Sequence, residues 1–242
     1  MGVIGIALAM VLDWCIKAAP DIYRFRSGKW KNQEGYLMKV LMINGSPDGK
    51  GCIHMALTLA AEVLNKEGIE TEEIHVGNKD IRGCVACRRC HETGKCVFND
   101  LVNETAPKLA EADGIIIGSP VYYSMPNGTV LSFMQRLFFS CGCDLHMKVG
   151  ASVVSCRRGG NSATFEIMNQ FFGINGMPTV PSTYWNDVHG YKGEDVLADT
   201  EGCETIRNMA TNMAFLIKSI RAGKEQFGKP DVKHTQFFNF IR

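Results

Sequence analysis

An excess of charge of either sign is missing from this 242-residue chain. Its 26 lysines and arginines balance 25 aspartates and glutamates, which leaves a formal net charge of +1. Basic and acidic residues are mixed along the sequence rather than gathered into one stripe. A strongly basic face is the usual footprint of a nucleic-acid-binding protein, so the composition argues against such a partner.

The sequence also lacks a hydrophobic run long enough to cross a membrane. An apolar run covers residues 2–12 and is interrupted by Asp13. As a helix rising about 1.5 Å per residue, it falls short of the roughly 30 Å hydrocarbon core. No basic residue precedes the run and no clear small-residue cleavage site follows it, which argues against a signal peptide. Residues 1–37 are interpreted either as a helical arm, packed on the domain or on a second subunit, or as sequence upstream of a domain that starts at Met38.

A recognisable set of catalytic side chains is missing as well. Neither a Ser-His-Asp arrangement nor a pair of carboxylates suited to acid–base chemistry is evident in the sequence. We therefore assign no catalytic side chain.

Cysteine, in contrast, is abundant, with ten residues in the chain. Secreted disulfide scaffolds are usually short and rich in loops, whereas this chain alternates strand and helix patterns. We therefore expect a reducing, cytoplasmic setting in which thiols stay free or bind metal. Four scattered cysteines are interpreted as core or surface residues: Cys15, Cys141, Cys143 and Cys203.

Apolar runs predict the strands of an α/β fold. Residues 39–44, 114–118 and 149–155 are continuously apolar, which is typical of strands buried in a parallel sheet. Residues 70–76 alternate and predict a further strand, and a fifth is predicted within 177–185. The strands are separated by segments with helical periodicity, over 52–66, about 101–112, 128–139, 162–172 and 201–220.

This alternation predicts one doubly wound domain. Strands that alternate with helices form a parallel sheet, here five-stranded, with helices on both faces. The domain is expected to cover residues 38–222. Residues 223–242 are expected to form an irregular tail.

A glycine-rich loop joins the first predicted strand to the first predicted helix. Residues 44–53 include three glycines and a proline, so the backbone can turn sharply and point its N–H groups inward. A helix starts directly after the loop, so its N-terminus adds partial positive charge, and Ser46 adds a hydroxyl donor. The loop favours a bound phosphate, although its spacing matches neither the dinucleotide motif nor a Walker loop.

Three loops resemble those of the flavodoxin-like NAD(P)H-dependent FMN reductases. They are Gly45-Ser46-Pro47 with Gly51, Gly-Ser-Pro-Val-Tyr over 118–122, and Ser-Cys-Arg-Arg-Gly-Gly over 155–160. The resemblance covers roughly residues 38–220. All three loops follow predicted strands, at the edge where open α/β sheets bind ligands. The resemblance implies a flavodoxin-like fold that binds FMN.

The resemblance also implies which residues contact FMN. The phosphate would be held by Ser46, Gly51, Cys52 and Ile53. The ring system would be bordered by Pro120, Val121, Tyr122, Tyr123, Ser124 and Asn127. Its pyrimidine side would be covered by Ser155, Cys156, Arg157, Arg158, Gly159 and Gly160. An arginine of the last loop would stabilise negative charge on the reduced ring.

The sharpest local motif is a group of four cysteines within thirteen residues: Cys84, Cys87, Cys90 and Cys96. Three cysteines at x2 spacing with a fourth nearby can surround a [4Fe–4S] cluster. The motif is similar to that of the iron–sulfur flavoproteins, which share the fold. A four-thiolate zinc site and plain free thiols are the competing interpretations. Arg88, Arg89 and Lys95 would stabilise thiolates in a cluster and in a reactive cysteine alike.

Two functions follow from these resemblances. The first is an FMN-dependent oxidoreductase that passes electrons from NAD(P)H to a quinone, a flavin, a nitro or azo compound or a similar acceptor. The alternative is an iron–sulfur flavoprotein that carries electrons for a ferredoxin-like protein. A flavin-free zinc module is a third reading. Active sites in the family lie at subunit boundaries, so a homodimer or higher homo-oligomer is expected.

Overall fold

The structure, a computed structural model, describes residues 37–233 and residue 235. The expected N-terminal arm, apart from Leu37, lies outside the described residues, as does Cys15. The end of the expected C-terminal tail lies outside them too.

A mixed sheet forms the centre of the described chain. Its five parallel strands lie in the order β2-β1-β3-β5-β6, and a short β4 pairs antiparallel with the end of β3. The strands are β1 Lys39–Asn44, β2 Glu70–His75, β3 Gly114–Tyr122, β4 Met125–Pro126, β5 Val149–Cys156 and β6 Asp187–His189. The predicted five-stranded parallel sheet is confirmed, whereas the small antiparallel strand was not predicted.

Helices connect the strands and cover both faces of the sheet. They are α1 Cys52–Lys66, α2 Cys90–Thr93, α3 Leu101–Glu111, α4 Gly128–Ser140, α5 Asn161–Ile174 and α6 Thr200–Phe227, with a 3-10 helix at Gly193–Ala198. None of the helices in the described part of the chain combines the length and the apolar character that a membrane span requires.

Strand periodicity divides the core into two layers. In β1, Val40 and Met42 face one side and pack with α1 and α6, while Leu41 and Ile43 face the other and pack with α3, α4 and α5. Successive strand residues point to opposite faces, so a continuous apolar run can fill both layers. This arrangement leaves the carboxyl edge of the strands for the loops.

The fifth parallel strand lies later in the sequence than expected. Residues 177–185 form only an isolated bridge, between Thr179 and Gly150, and the paired strand is Asp187–His189. Pro178 and Pro181 lack the N–H groups that a longer ladder needs, which explains why pairing stops. The predicted strand over 177–185 is therefore wrong in its position.

The closing helix also continues further than expected. It runs to Phe227 rather than ending near Ile220, and Gly228, at φ 77°, follows its last residue. Residues 224–226 are Lys-Glu-Gln, good helix formers that outweigh Gly223. The irregular tail therefore starts after the helix rather than at residue 223.

Candidate functional site

A cleft of about 280 Å³ lies at the carboxyl ends of β1, β3 and β5. It is lined by Ser46, Pro47, Asp48, Gly51, Cys52, Pro120, Val121, Tyr122, Ser155, Cys156, Arg157, Gly190 and Tyr191. The three loops singled out in the sequence thus surround one cavity. Gly190 and Tyr191 were not predicted. They follow β6 at the same edge, and only a correct placement of that strand could have pointed to them.

The loop after β1 is held by side chains of β1 and β2. Asn44 Oδ1 accepts the backbone N–H of Ser46 at 3.0 Å, and Asn44 Nδ2 donates to Glu73 Oε1 at 2.8 Å. His75 Nε2 donates to the carbonyl oxygen of Ser46 at 2.7 Å. Gly45 is required here, since a Cβ would lie 2.6 Å from the carbonyl oxygen of Gly118. The loop is therefore anchored by contacts within the protein.

The N-terminus of α1 meets the cleft without a side-chain cap. Gly51 occupies the N-cap position and makes no side-chain hydrogen bond to the helix. The N–H groups of the first turn have no acceptor within the helix, and the helix dipole adds partial positive charge there. With the Ser46 hydroxyl on the same cleft, this end fits a phosphate. Ile53 itself is fully buried beneath the loop, against Gly118.

The end of β3 turns back through a strained two-residue hairpin. Tyr123 has φ 52° and Ser124 has φ 61°, between the paired residues Tyr122 and Met125. Left-handed conformation costs roughly 1–2 kcal/mol at a non-glycine residue. Strain of this kind concentrates at functional sites. Tyr123 is fully exposed and Ser124 is exposed, and neither lines the cleft as described.

The loop after β5 packs directly on this hairpin. Gly160, at φ 88°, approaches so closely that a Cβ would lie 2.8 Å from Ser124 Oγ and 3.0 Å from Val121 Cγ1. Gly160 also caps α5 without a side-chain hydrogen bond. Arg157 lines the cleft, whereas Arg158 and Gly159 are exposed beside it. The two loops expected to border a flavin ring therefore form one continuous wall.

Asn127 joins two of the loops from behind the cleft. It is 5% exposed, its Nδ2 donates to the carbonyl oxygen of Gly45, and its Oδ1 caps α4 at Thr129 N. Its own N–H donates to Ser119 Oγ at 2.8 Å. The geometry thus gives Asn127 a supporting position rather than a place on the cleft surface.

The two cysteines of the cleft are held as neutral thiols. Burial raises the pKa of the Cys52 thiol, and Asp195 adds to the shift. Burial likewise raises the pKa of Cys156, with a contribution from Asp187. A neutral thiol does not repel a phosphate or a reduced flavin. Both residues can therefore line an anion-binding cleft without an electrostatic penalty.

Tyr184, Trp185 and His189 lie around a separate cavity of about 300 Å³, with Asp187 and Asp199. The two aromatic rings contact each other edge-on at 4.8 Å between centroids. His189 donates its backbone N–H to Asp199 and pairs with it through Nδ1. Tyr184, Trp185 and His189 thus line this separate cavity and not the cleft at β1, β3 and β5.

The four clustered cysteines line a second site, a small cavity between the loop after β2 and α4. Its walls are otherwise mostly apolar and include Val85, Val97, Phe98 and Phe139. Burial raises the pKa of Cys90, and the neighbouring sulfurs of Cys87, Cys96 and Cys84 contribute. Among the described residues, no three His, Cys, Asp or Glu side chains are arranged to hold a single metal ion. The sequence motif is nevertheless gathered at one place.

A buried arginine stands at this second site. Arg136 is 1% exposed, and its Nε and Nη2 each donate to Cys96 Sγ at 3.2 Å. The same guanidinium forms a two-pronged pair with Asp100, at 2.6 and 2.9 Å. Asn103 fixes the backbone of Cys96 through its N–H and its carbonyl, both at 2.9 Å. A cation aimed at sulfur in a mostly apolar pocket favours a thiolate, so the donor set suits an iron–sulfur cluster.

Comparison with known proteins relates the chain to flavoproteins. The family model described as NADPH-dependent FMN reductase matches residues 38–192. An iron–sulfur flavoprotein of Methanocaldococcus jannaschii is 35% identical over 192 residues, covering 76% of this chain and 100% of the relative. An iron–sulfur flavoprotein of Methanosarcina thermophila is 29% identical over 195 residues, covering 78% of this chain and 100% of the relative.

Solved structures share the fold at lower identity. RosB, solved with the bound intermediate 8-demethyl-8-formylriboflavin-5'-phosphate, has a TM-score of 0.62 and 17% identity, covering 84% of this chain and 92% of that chain. A flavodoxin from the domain Archaea has a TM-score of 0.52 and 14% identity, covering 75% of this chain and 99% of that chain. These likenesses show a flavodoxin-like fold. With the family match over most of the described chain, they place the protein in the flavodoxin-like family of NADPH-dependent FMN reductases and iron–sulfur flavoproteins.

Proposed function

We propose that the protein is an FMN-dependent oxidoreductase with FMN bound in the cleft at β1, β3 and β5. The observation that carries this proposal is the uncapped N-terminus of α1 beside Ser46, which supplies donors for the phosphate. Residues 120–122 and 155–157 line the cleft and offer a wall for the ring system. FMN, when bound, accepts electrons in pairs or singly and passes them on. The protein's part is to fix the phosphate and to place Arg157 near the ring.

An absorption spectrum of protein purified without oxygen tests the flavin proposal. Bands that bleach on addition of dithionite, and equimolar FMN released on denaturation, are expected. A colourless preparation is titrated with FMN while the quenching of flavin fluorescence is followed. Failure to bind added FMN would contradict the proposal.

We further propose that Cys84, Cys87, Cys90 and Cys96 hold a [4Fe–4S] cluster. Support comes from their common cavity, from the hydrogen bonds of Arg136 to Cys96, and from the names of the relatives. A bound cluster exchanges one electron at a time. Arg136 would stabilise the negative charge of the thiolate, and Phe98 and Phe139 line the cavity beside it.

Iron and acid-labile sulfide, measured on anaerobically purified protein, test the cluster. Wild type should contain about four of each per chain. The variant C87A/C90A should lose both, whereas C203S should keep both, because its hydroxyl can replace the thiol that donates to Val196. Zinc in place of iron, or iron retained by the double variant, contradicts the proposal.

The two centres together favour an electron carrier supplied by a ferredoxin-like protein. The curated relatives compared above are named as iron–sulfur flavoproteins, which supports this direction. Reduced ferredoxin should then bleach the flavin bands of wild type, and C87A/C90A should abolish that reduction while keeping bound FMN. Ferredoxin-coupled reduction that survives in the double variant would exclude the route through the cluster.

Direct oxidation of NAD(P)H is the second candidate, because the cleft is open and half-exposed Tyr122 lies on its wall. A nicotinamide needs room to approach the ring face from solvent. Anaerobic mixing with NADH or NADPH should then bleach the flavin without ferredoxin, with a quinone as final acceptor. No bleaching by either nucleotide excludes this candidate.

We propose a homodimer formed around the cleft. Tyr123 and Tyr191 are 101% and 88% exposed, and large aromatic residues at a surface are enriched in interfaces. Light scattering should report about twice the chain mass of 26.7 kDa. The variant Y123S/Y191S should shift the protein toward the monomer. A monomeric wild type contradicts the proposal.

A further inference from the structure

Cys141 and Cys143 form a close pair of thiols at the end of α4. Cys141 directly follows the helix, Gly142 takes a left-handed φ of 63°, and Cys143 is thereby folded back. The Sγ–H of Cys143 donates to Sγ of Cys141 at 3.3 Å. Both side chains are only partly buried, so reagents from solvent can reach them. Neither residue lines the cavity of the four-cysteine loop.

The surroundings make one sulfur of the pair the nucleophile. The hydrogen bond from Cys143 lowers the pKa of Cys141 to about 6, and the Lys148 ammonium adds to the effect against the opposing burial. The same hydrogen bond and burial raise the pKa of Cys143. Lys148 is held in place by the carbonyl oxygens of Ala110 and Ala112. A thiolate beside a protonated thiol is the arrangement of an attacking and a resolving cysteine.

We propose that Cys141 and Cys143 form a reversible dithiol–disulfide site that exchanges two electrons with thiol–disulfide partners, separately from the flavin and the four-cysteine loop. The Cys141 thiolate attacks one sulfur of an external disulfide, RS–SR, and releases RS⁻. The sulfur of Cys143 then attacks Cys141 in the mixed disulfide and releases the second RS⁻. The Cys143 proton and one from solvent convert both to RSH. The pair loses two electrons and RS–SR gains them.

The position of the pair gives its oxidation a structural consequence. Gly142 lies against Gly94, where a Cβ would be 3.1 Å from the Gly94 carbonyl oxygen. Gly94 lies between Cys90 and Cys96 in the sequence. A bridge between residues two apart closes a small ring, and strained or exposed disulfides are readily reduced. Oxidation of the pair would therefore change the contact between Gly142 and Gly94. Gly94 lies in the turn between Cys90 and Cys96, two of the four clustered cysteines.

Peptide mapping tests this proposal on the full-length protein. The protein is reduced, freed of reductant, exposed without oxygen to glutathione disulfide, denatured, alkylated and digested with trypsin. Cleavage after Arg136 and Lys148 gives peptide 137–148, which contains Cys141 and Cys143 and no other cysteine. We expect this peptide to lose about 2 Da and to escape alkylation, and to become alkylated again after dithiothreitol treatment.

The clustered cysteines fall on other peptides, so loss of a cluster is not confused with oxidation of the pair. The peptide 193–207 contains Cys203 alone, a buried thiol that should remain alkylated throughout. Full alkylation of peptide 137–148 after the disulfide treatment overturns the proposal. This readout is independent of whether FMN or iron is bound.

Two single variants test the order of attack. C143S should accumulate a glutathione adduct on Cys141, because the resolving thiol is gone. C141S should form several-fold less adduct on Cys143 in the same time, because burial still raises the pKa of that thiol once the Cys141 sulfur is removed. Both variants keep a hydroxyl at the substituted position, so the loop retains a polar group of similar size. Equal adducts on the two variants, or none on C143S, overturn the assigned roles.

Discussion

Arg136 Nε and Nη2 both donate to Cys96 Sγ, and the two residues are separated by forty positions in the sequence. The guanidinium is buried and its other N–H groups are bound by Asp100 and by the carbonyl oxygens of Arg82 and Phe98. A charge in such a place is retained only when every donor is satisfied. This side chain therefore joins α4 to the cysteine loop through four different partners.

Arg136→Met should destabilise the protein and lower its iron content. Removing one partner of a buried pair costs on the order of 3 kcal/mol, and the cost stays near that lower limit because Asp100 is partly exposed. Urea unfolding of the metal-free protein measures the first effect, and iron analysis measures the second. Arg207→Met, at an exposed helical position on α6 away from the cysteine loop, is the matched control. Equal stability of the two variants contradicts the assigned contact.

Gly51→Asp should weaken FMN binding at least ten-fold and lower stability modestly, because the new Cβ would lie 3.3 Å from Asp48 and bring a second carboxylate beside it. The carboxylate caps α1, which differs from a glycine cap by only a few tenths of a kcal/mol, and it occupies donors that a phosphate needs. Its charge also repels the phosphate. Gly51→Asn, which caps without the charge, should fall between Asp and wild type in FMN titrations. Equal affinities for all three proteins would place the phosphate elsewhere.

Gly160→Ala should cost about 1–3 kcal/mol and loosen FMN binding, because the residue has φ 88° and a Cβ would press on Ser124. Gly159→Ala is the matched control, since a Cβ there has no neighbour within 4 Å and its φ is not left-handed. Thermal unfolding and flavin fluorescence measure both effects. The control should unfold at the same temperature as wild type. A variant of Gly160 that retains full stability and affinity would show that the two loops need not touch.

Glu72→Gln should make the free energy of unfolding depend less steeply on pH in the acid range. Hydrogen bonds from Lys108 and Lys39 lower the pKa of Glu72 in the folded protein. Its unfolded pKa is about 4.3, so the contribution is present above that pH and is lost as pH falls through the lower folded value. Urea unfolding from pH 6 to about 3 should be steeper in pH for wild type than for the variant. Identical pH profiles contradict this role.

Much of the fold could be predicted because its signals are local. The apolar runs of β1, β3 and β5 and the glycine-rich loop after β1 lie where the sequence indicated, and the three loops do surround one cleft. The predicted position of β6 was wrong because residues 177–185 are apolar but contain two prolines. Hydrophobicity favoured that segment as the strand, whereas the ladder of hydrogen bonds forms only after it. Tyr191 was missed for the same reason.

The second site shows a different limit of the sequence. The spacing of the four cysteines was visible, but nothing near Arg136 indicates that it reaches Cys96, since the contact depends on how α4 packs. Asn127 likewise gave no sign that it bridges the Gly45 carbonyl to α4. Cys141 and Cys143 were read as scattered residues because their proximity depends on the left-handed Gly142. Such relationships appear only when the chain is folded.

One strand supports both candidate centres. Glu73 of β2 accepts a hydrogen bond from Asn44, which holds the loop at Ser46, and His75 of β2 bonds the Ser46 carbonyl oxygen directly. The chain that leaves β2 continues into the cysteine loop. A displacement of β2 along its axis therefore moves the anchor of one centre and the origin of the other together. Any coupling between the two centres through this strand would be reciprocal. If the proposed FMN and cluster are both bound, a change that one makes in the affinity for the other is matched by the same factor in the opposite direction.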